Sequence, residues 1–266
     1  MLREGLMQYW WLLYRHSKLL GQRTDIYRNV EDSYTARQGD LILNRDSTHL
    51  DIGSGSSPVP TFLFQRLGAK TYATEMDPLY LKRQEEYQRT LQLPKSGGFH
   101  VQAEDATQLS FNDSWLDFIS VVSTIEHIPG DGDSRAMAEF ERVLRPGGRV
   151  VVTVPASPSY QEAESTFYYA RFERRYDAAA LRSRLHRKGL KLIDELHMVS
   201  PPEEFTDLVR DQFAEVFHGI HPTEVWYKNG WHDQYSDVSI VMTLALIRLS
   251  PSSEGSFGAM LTFEKR

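Results

Sequence analysis

Asp51, Gly53 and Gly55 stand at and directly after a short apolar segment at residues 50–52. Glycines spaced in this way at the end of a strand let the backbone pass very close to a ligand. In the dinucleotide-binding fingerprint a third glycine or alanine follows, and here that position holds Pro58. Proline suits the first turn of a helix instead. The loop therefore predicts a ligand site that differs from a pyrophosphate cradle.

Further carboxylates follow the next two apolar segments of the chain. Glu75 and Asp77 come after the first of these segments, and Glu104 and Asp105 come after the second. A carboxylate has two oxygens that accept hydrogen bonds from neighbouring hydroxyls or from an amine. Either member of each pair fits such a role, and Asp77 also fits the position of a helix cap. The pattern predicts polar ligand contacts at the ends of successive strands.

These residues belong to a chain of alternating apolar and amphipathic segments. The apolar segments, which predict strands, lie at residues 50–52, 70–74, 99–103, 115–123 and 149–155. Segments with helical spacing of their apolar residues lie at 59–67, 79–91 and 134–144. Such alternation indicates an α/β protein with a parallel sheet and helices on both faces. Ligands of these sheets bind at the carboxyl ends of the strands, where the carboxylates above are placed.

The composition limits the classes of function. The 266 residues carry a formal net charge of −6, are 41% hydrophobic and 25% charged, and include no cysteine. The lack of cysteine excludes disulfides, thiolate metal sites and cysteine nucleophiles. The acidic balance gives no reason to expect a nucleic-acid partner, and no apolar run has the length of a membrane span. We expect a cytoplasmic protein, a monomer or homodimer, that binds neither nucleic acid nor membrane.

Two further groups of residues lie outside this minimal pattern. Aromatic residues crowd a predicted N-terminal helix at residues 2–20 and two long segments after the fifth strand, which predict caps over the sheet. Basic residues recur further along the chain, and we interpret them as the solvated face of a helix. They are Arg171, Arg174, Arg175, Arg182, Arg184, Arg187, Lys188 and Lys191.

Five motifs together carry a family resemblance. They are LDIGSGSSP, YATEMDP, QAEDATQLSF, LDFISVVSTIEHI and FERVLRPGGRVVVTVP. In this order and spacing the chain resembles the class I S-adenosylmethionine-dependent methyltransferases, and in particular a type 11-like small-molecule methyltransferase domain. The resemblance implies a Rossmann-like, seven-stranded, mostly parallel sheet with helices on both faces, extended by an N-terminal helix and aromatic-rich cap insertions.

The resemblance also implies a division of the chain. Residues 1–30 are expected to form an N-terminal helical lid. Residues 31–250 are expected to form the methyltransferase domain, with cap insertions at about 156–176 and 200–235 and a last long strand at 236–249. Residues 251–266 are expected to form a C-terminal tail.

The cofactor implied by the resemblance is S-adenosyl-L-methionine. The family places the ribose hydroxyls on the acid three residues before a proline, which selects Glu75, and the adenine amine on the acid before an alanine, which selects Asp105. Asp51 is placed toward the α-ammonium, and Tyr34 and Arg37 are candidates for the methionine carboxylate. The implied cofactor-binding residues are Asp51, Gly53, Ser54, Gly55, Glu75, Met76, Asp105, Ala106 and Ser123.

The acceptor of the methyl group belongs beside the end of the fourth strand. His127 is the candidate general base there, because the ordinary pKa of histidine suits proton transfer near neutral pH. Alternatively, Glu126 and His127 only organise the turn into the next helix. No third ligand accompanies this pair, so no metal site is expected.

The resemblance thus implies transfer of a methyl group to an O or N atom of a small, hydrophobic or planar metabolite. Two alternatives stay open, namely a methyltransferase that acts on a peptide or other macromolecule, and a catalytically inactive regulatory protein that binds the cofactor. The intact set of cofactor residues argues against the inactive alternative. Fold alone does not identify the acceptor.

Overall fold

The computed structural model describes residues 5–21, 26–94, 98–163, 172–199 and 247–266. Its strands are β1 (Thr48–Ile52), β2 (Lys70–Thr74), β3 (Phe99–Gln102), β4 (Leu116–Val122), β5 (Leu144–Pro155), β6 (Gln161–Ala163), β7 (Glu173–Arg175), β8 (Leu190–Val199), β9 (Arg248–Ser250) and β10 (Ser256–Lys265). Its helices are α1 (Leu6–Leu19), α2 (Ile26–Asp40), α3 (Val59–Leu67), α4 (Pro78–Thr90), α5 (Gly132–Val143) and α6 (Ala178–Ala180). A 3-10 turn spans Ile125–His127, and a π-helix at Leu181–Leu185 continues α6.

The main sheet has the strand order β3-β2-β1-β4-β5-β10-β8-β9. The five strands from β3 to β5 are parallel, whereas β10 runs antiparallel to both of its neighbours, β5 and β8. The edge strand β9 is antiparallel to β8. The predicted Rossmann-like α/β architecture is confirmed, and within the described residues the sheet has eight strands instead of the expected seven.

The expected C-terminal tail is instead a strand of this sheet. Strand β10 pairs along its length with β5 and β8, and Ala259, Met260 and Leu261 are fully buried. The expectation left residues 251–266 as a tail and placed the last long strand at 236–249. Most of it lies outside the described residues, and the part that is described contributes only to the three-residue strand β9.

Helices cover both faces of the sheet. Alternate residues of β5 point to opposite faces, so that Val150 and Val152 contact the layer of α5 and α6, while Val151 contacts the layer of α1, α2 and α3. Helix α1 packs Leu6 and Leu13 into the second layer. The expected boundary at residue 30 falls inside α2, so no element ends there.

Helix α2 is polar in composition and buried along most of its described length. Hydrogen bonds compensate this burial, because Gln38 Nε2 donates to Asp194 Oδ2 over 2.9 Å and the Tyr34 hydroxyl bonds Thr262 Oγ1 over 2.7 Å. The first cap insertion contains the hairpin of β6 and β7, and the second lies outside the described residues. Among the helices described, none combines the length and the apolar character needed to cross a bilayer.

Candidate active site

The loop after β1 brings the backbone into close contact with the loop after β4. Gly53 has φ of +64°, in the left-handed region, and a Cβ atom there would lie 2.2 Å from Cγ2 of Thr124. Gly55 also has positive φ, at +46°, and a Cβ atom there would stand 4.0 Å from Glu75 Oε2. Side chains at these two positions would fill the space between the strand ends. The two glycines therefore keep a cradle open beside Glu75.

Ser54 holds the loop in place from within. Its backbone N–H donates to the carbonyl oxygen of Thr74 over 2.8 Å, and its hydroxyl accepts from the Thr74 N–H over 3.0 Å. The Ser54 hydroxyl also donates to the carbonyl oxygen of Asp51 over 3.3 Å. These hydrogen bonds engage the Ser54 hydroxyl and join β1 to β2, so the role of Ser54 in the site is structural.

Glu75 and Asp77 differ in role at the end of β2. Asp77 is the N-cap of α4, and its Oδ1 accepts from the Leu79 N–H over 2.8 Å. Glu75 Oε1 accepts from the Met76 N–H over 2.8 Å, which orients the carboxylate beside Gly55. Burial is the main cause that raises the pKa of Glu75. Met76 itself exposes an apolar surface next to this carboxylate.

Glu104 and Asp105 also differ in role after β3. Glu104 accepts from Gln102 Nε2 over 2.7 Å and from the Ser110 N–H over 3.0 Å, which holds the loop closed. Asp105 is exposed, and its Oδ1 accepts from the backbone and hydroxyl of Thr107, both over 2.8 Å. Ala106 is buried below it. Asp105 is therefore the acid of this pair that faces outward.

Asp51 is almost fully buried at the end of β1. Its Oδ2 accepts a hydrogen bond from the Ser120 hydroxyl, and Ser120 Oγ lies 2.7 Å from Nε2 of His49. Burial raises the pKa of Asp51 to about 7, while the Ser120 hydroxyl opposes this rise. Ser120 on β4 and His49 on β1 thus form the floor of the site together with Asp51.

Ser123 lies at the end of β4 in a strained conformation. Its φ is +42°, which is unfavourable for a residue other than glycine, and the Thr153 carbonyl holds its N–H over 3.1 Å. Its hydroxyl donates to Glu31 Oε1 on α2 over 2.7 Å. Arg28, one turn earlier on α2, pairs with Glu31 over 3.1 Å and donates to the carbonyl oxygen of Val122 over 3.1 Å.

Glu126 and His127 follow in the 3-10 turn. His127 Nδ1 lies 2.8 Å from the carbonyl oxygen of Phe172, so this nitrogen carries the proton and donates it. His127 Nε2 is left as the basic nitrogen, 3.9 Å from Glu126 Oε1. Burial lowers the pKa of His127 and raises the pKa of Glu126 well above its ordinary value. Burial thus favours the neutral form of both side chains.

Arg174 fixes this turn from the β6–β7 hairpin. Its guanidinium donates to the carbonyl oxygens of Ile128 over 2.5 Å and Gly130 over 2.6 Å, and it lies 3.7 Å from Asp133. The side chain is fully buried, so the interpretation of Arg174 as part of a solvated basic face is wrong. Arg184 is also partly buried and pairs with Asp133 over 2.6 Å.

Some expected contacts are absent, and some important residues were not predicted. Tyr34 is fully buried and bonded to Thr262, so it does not reach the cofactor site. The polar residues His49 and Ser120 interrupt apolar strands, and that interruption was the available signal of a buried network. No comparable local signal marks Arg28 or Glu31, because their partners lie far away in sequence.

The set of groups at the strand ends suits a cationic nucleoside ligand. Carboxyl groups from β1, β2 and α2 lie near these strand ends. The positive charge of Arg28 lowers the pKa of Asp51 there. The carboxylate of Glu75 beside the cradle can accept hydrogen bonds from hydroxyl groups, and Asp105 and Met76 are exposed after the neighbouring strands. S-adenosylmethionine carries a sulfonium, an ammonium and an adenosine, so these residues fit it.

Comparisons with known proteins agree. Residues 50–152 match the family model described as a methyltransferase domain. A search of curated proteins finds no match. Among solved structures, an S-adenosylmethionine-dependent methyltransferase from Methanosarcina mazei is 16% identical, with a TM-score of 0.55 over 85% of this chain and 95% of that one.

Two further structures share the fold. The proposed sarcosine dimethylglycine methyltransferase of Galdieria sulphuraria is 17% identical, with a TM-score of 0.54 over 88% of this chain and 84% of that one. A geranyl diphosphate C-methyltransferase from Streptomyces coelicolor A3(2), solved with S-adenosylhomocysteine, is 12% identical, with a TM-score of 0.57 over 87% and 77%. Residues 50–152 carry a methyltransferase domain whose fold these structures share, and S-adenosylmethionine is the cofactor that this domain indicates.

Proposed function

We propose that this methyltransferase transfers the methyl group to an O or N atom of a small, hydrophobic or planar acceptor, with His127 as the general base. The observation that carries the proposal is the hydrogen bond from His127 Nδ1 to the Phe172 carbonyl. This bond selects the tautomer in which Nε2 is free to accept a proton. It also fixes the ring at the exit of β4, next to the cofactor cradle.

The chemistry requires little more than alignment and one proton acceptor. The bound cofactor supplies an already activated methyl group, and correct positioning of the acceptor provides roughly 7–11 kcal/mol of the barrier reduction. A hydroxyl or ammonium acceptor must lose a proton, and His127 Nε2 takes it. The lowered pKa of His127 supports this role, because it keeps the imidazole neutral at physiological pH.

The surroundings of His127 support a small acceptor. The ring is about a quarter exposed, with the buried Glu126 beside it and the residue before β7, Phe172, bonded to its Nδ1. Phe172 and Arg174 form one side of this region, with the guanidinium 4.7 Å from the ring centre. The formal charge of −6 argues against a nucleic-acid acceptor. An aromatic wall and a single base favour an apolar or planar molecule with one nucleophilic atom.

The cofactor-binding roles are part of the same proposal. We assign the ribose hydroxyls to Glu75, the adenine amine to Asp105 with Ala106 and Met76 beside the base, and the ammonium to Asp51. Gly53, Ser54, Gly55 and Ser123 shape the backbone around it. Glu75 carries the most specific prediction, because its rival Asp77 is engaged as a helix cap.

The test follows labelled methyl groups from S-adenosylmethionine into three fractions: small organic molecules with hydroxyl or amine groups, peptides, and RNA. We expect transfer to small molecules by the wild-type protein, loss of transfer in the cofactor-site variant Glu75→Ala, and strongly reduced transfer in His127→Gln. Label in the peptide or RNA fraction would support the macromolecular alternative. Cofactor binding without transfer to any fraction would support the regulatory alternative.

A further inference from the structure

A buried hydrogen-bond chain runs beneath the cofactor cradle. Asp51 and Ser120 are directly paired across the parallel strands β1 and β4, and His49 lies two residues before Asp51 on the same face of β1. The Ser120 hydroxyl donates to Asp51 Oδ2, and His49 Nε2 lies 2.7 Å from Ser120 Oγ. All three side chains are almost inaccessible to solvent, at 2% exposure or less.

The chain has a defined direction. Ser120 has one hydroxyl proton, which it donates to Asp51, so its oxygen must accept from His49 Nε2–H. His49 Nδ1 is buried and has no hydrogen-bond partner among the described residues. A buried N–H without an acceptor is costly, which favours the tautomer with the proton on Nε2. The chain therefore points its donors at Asp51 and stabilises the carboxylate form.

The trio resembles a hydrolytic triad only in its residue types. In such a triad histidine lies between the acid and the serine, and the serine oxygen is accessible to substrate. Here Ser120 lies between Asp51 and His49, and it is fully buried. The order of the three residues excludes Ser120 as a nucleophile. Their hydrogen bonds act on the carboxyl group of Asp51 instead.

Charged groups surround Asp51 from several elements. The negative charge of Glu75, at the end of β2, raises the pKa of Asp51, whereas the positive charge of Arg28 on α2 lowers it. Glu31 and Asp32 add carboxyl groups from α2, the first paired with Arg28 and the second accepting from the Ser57 hydroxyl over 3.4 Å. His49 stays neutral, because burial lowers its pKa to about 3.

We propose that Ser120 and His49 are positioning residues that orient Asp51 and favour its carboxylate form, and that binding of the cofactor's ammonium drives the protonated fraction of Asp51 into that form with release of its proton. The pKa of about 7 for Asp51 agrees with this geometry, because an ammonium ligand binds the carboxylate in preference to the neutral acid. The inference rests on the assignment of Asp51 to the cofactor ammonium and does not depend on the acceptor or on His127.

The sign of the pH effect follows from this linkage. Below the pKa of free Asp51 the group is protonated, so binding must expel a proton and weakens roughly tenfold for each pH unit. Affinity should therefore rise as pH increases from 5.5 to about 7 and level off above it. In Ser120→Ala the donor to the carboxylate is lost and the pKa of Asp51 rises, so the same increase should occur at higher pH.

The experiment measures the affinity for S-adenosylhomocysteine by calorimetry between pH 5.5 and 8.5, in pairs of buffers with different ionisation enthalpies. We compare the wild-type protein with Ser120→Ala, with His49→Leu, and with the control Thr71→Val. The control removes a buried hydroxyl that donates to the Ala69 carbonyl, at the opposite end of β2 from the site. Circular dichroism melting checks that each variant is folded.

For the wild type we expect proton release on binding below pH 7. For Ser120→Ala we expect the affinity at pH 7 to fall roughly tenfold or more, because a hydrogen bond to a charged group contributes about this much. The difference in affinity from the wild type should become smaller as pH rises. His49→Leu should shift the curve in the same direction by less, and Thr71→Val should follow the wild type.

The inference would be overturned if plots of affinity against pH for the variants coincide with the wild-type plot or run parallel to it at every pH. The cofactor assignment would then remain intact. A wild-type affinity that does not change with pH would overturn it as well. Absence of binding by the wild type at every pH would contradict the cofactor assignment, and with it this inference.

Discussion

A Cβ atom at Gly53 would lie 2.2 Å from Cγ2 of Thr124, so the ends of β1 and β4 meet through a glycine backbone and a threonine side chain. The contact brings the cofactor cradle against the turn that carries His127. The two loops approach this closely because Gly53 has no side chain and tolerates a φ of +64°.

Gly53→Ala should destabilise the protein through both the positive φ and the contact with Thr124. The strain alone costs roughly 1–2 kcal/mol, and the overlap adds to it. Gly147→Ala is the matched control, because Gly147 has φ of +78° and nothing within 4 Å of a Cβ atom. In urea unfolding we expect the larger loss for Gly53→Ala, and partial recovery in the double variant Gly53→Ala/Thr124→Gly. Equal losses at the two glycines would show that the contact is unimportant.

Glu75→Ala should weaken binding of S-adenosylhomocysteine by roughly 1.5–3 kcal/mol, the range for hydrogen bonds to a charged group. Asp77→Ala should leave binding nearly unchanged and reduce the free energy of unfolding by about 0.5–2 kcal/mol, because it removes the N-cap of α4. Titration calorimetry and urea unfolding on both variants separate the two roles. A large loss of affinity in Asp77→Ala alone would reverse our assignment of the ribose.

His127→Gln should lower turnover roughly 10²–10⁴-fold while the affinity for the cofactor product stays near the wild-type value. The wild-type activity should fall as pH drops through the pKa of His127, which lies below the ordinary value of histidine because the ring is buried. At saturating S-adenosylmethionine, where the titration of Asp51 does not limit the rate, the variant should lack this acid limb in its pH–rate profile. His100→Gln is the control, since His100 lies on the edge strand β3 and stacks on Tyr72. An unchanged acid limb in His127→Gln would remove His127 from the mechanism.

Arg174→Met should loosen the turn at 125–132. The Ile128 carbonyl loses the guanidinium that donates to it, and a buried acceptor left unpaired costs roughly 1–3 kcal/mol. Turnover should fall because the Phe172 carbonyl no longer holds His127 firmly, whereas cofactor affinity should persist. Arg135→Met, which breaks the exposed pair with Asp131, should change the free energy of unfolding by less than about 0.5 kcal/mol. Similar unfolding curves for the two variants would contradict the role of Arg174.

The strands from β1 to β5 were predictable from sequence because each is a short apolar run with its own turn signals. The glycine loop and Glu75 were predictable for a related reason, since they follow those strands directly. Strand β10 was missed because the apolar run before it, at 236–249, satisfied the same pattern. Local periodicity alone does not indicate where the last strand of a sheet lies.

The buried partners of the site depend on pairing across the fold. Ser120 is 69 residues from Asp51 in sequence, and Ser123 is 92 residues from Glu31. A sequence window of the length used to recognise a helix or a strand never contains both members of either pair. Arg174 was assigned to a solvated face because most of its basic run falls on a predicted helix, and its burial arises from the carbonyl groups of a turn more than 40 residues earlier.

The insertion of β10 between β5 and β8 affects how the nascent chain folds. Strand β10 pairs with β5 across roughly 100 residues of sequence, so all five parallel strands leave the ribosome well before their antiparallel neighbour. During that interval the valine-rich edge of β5 is an open template for wrong pairing with other chains. We expect ribosome-bound intermediates that end before residue 256 to aggregate, and to be protected by chaperones that cover β5 until β10 is made.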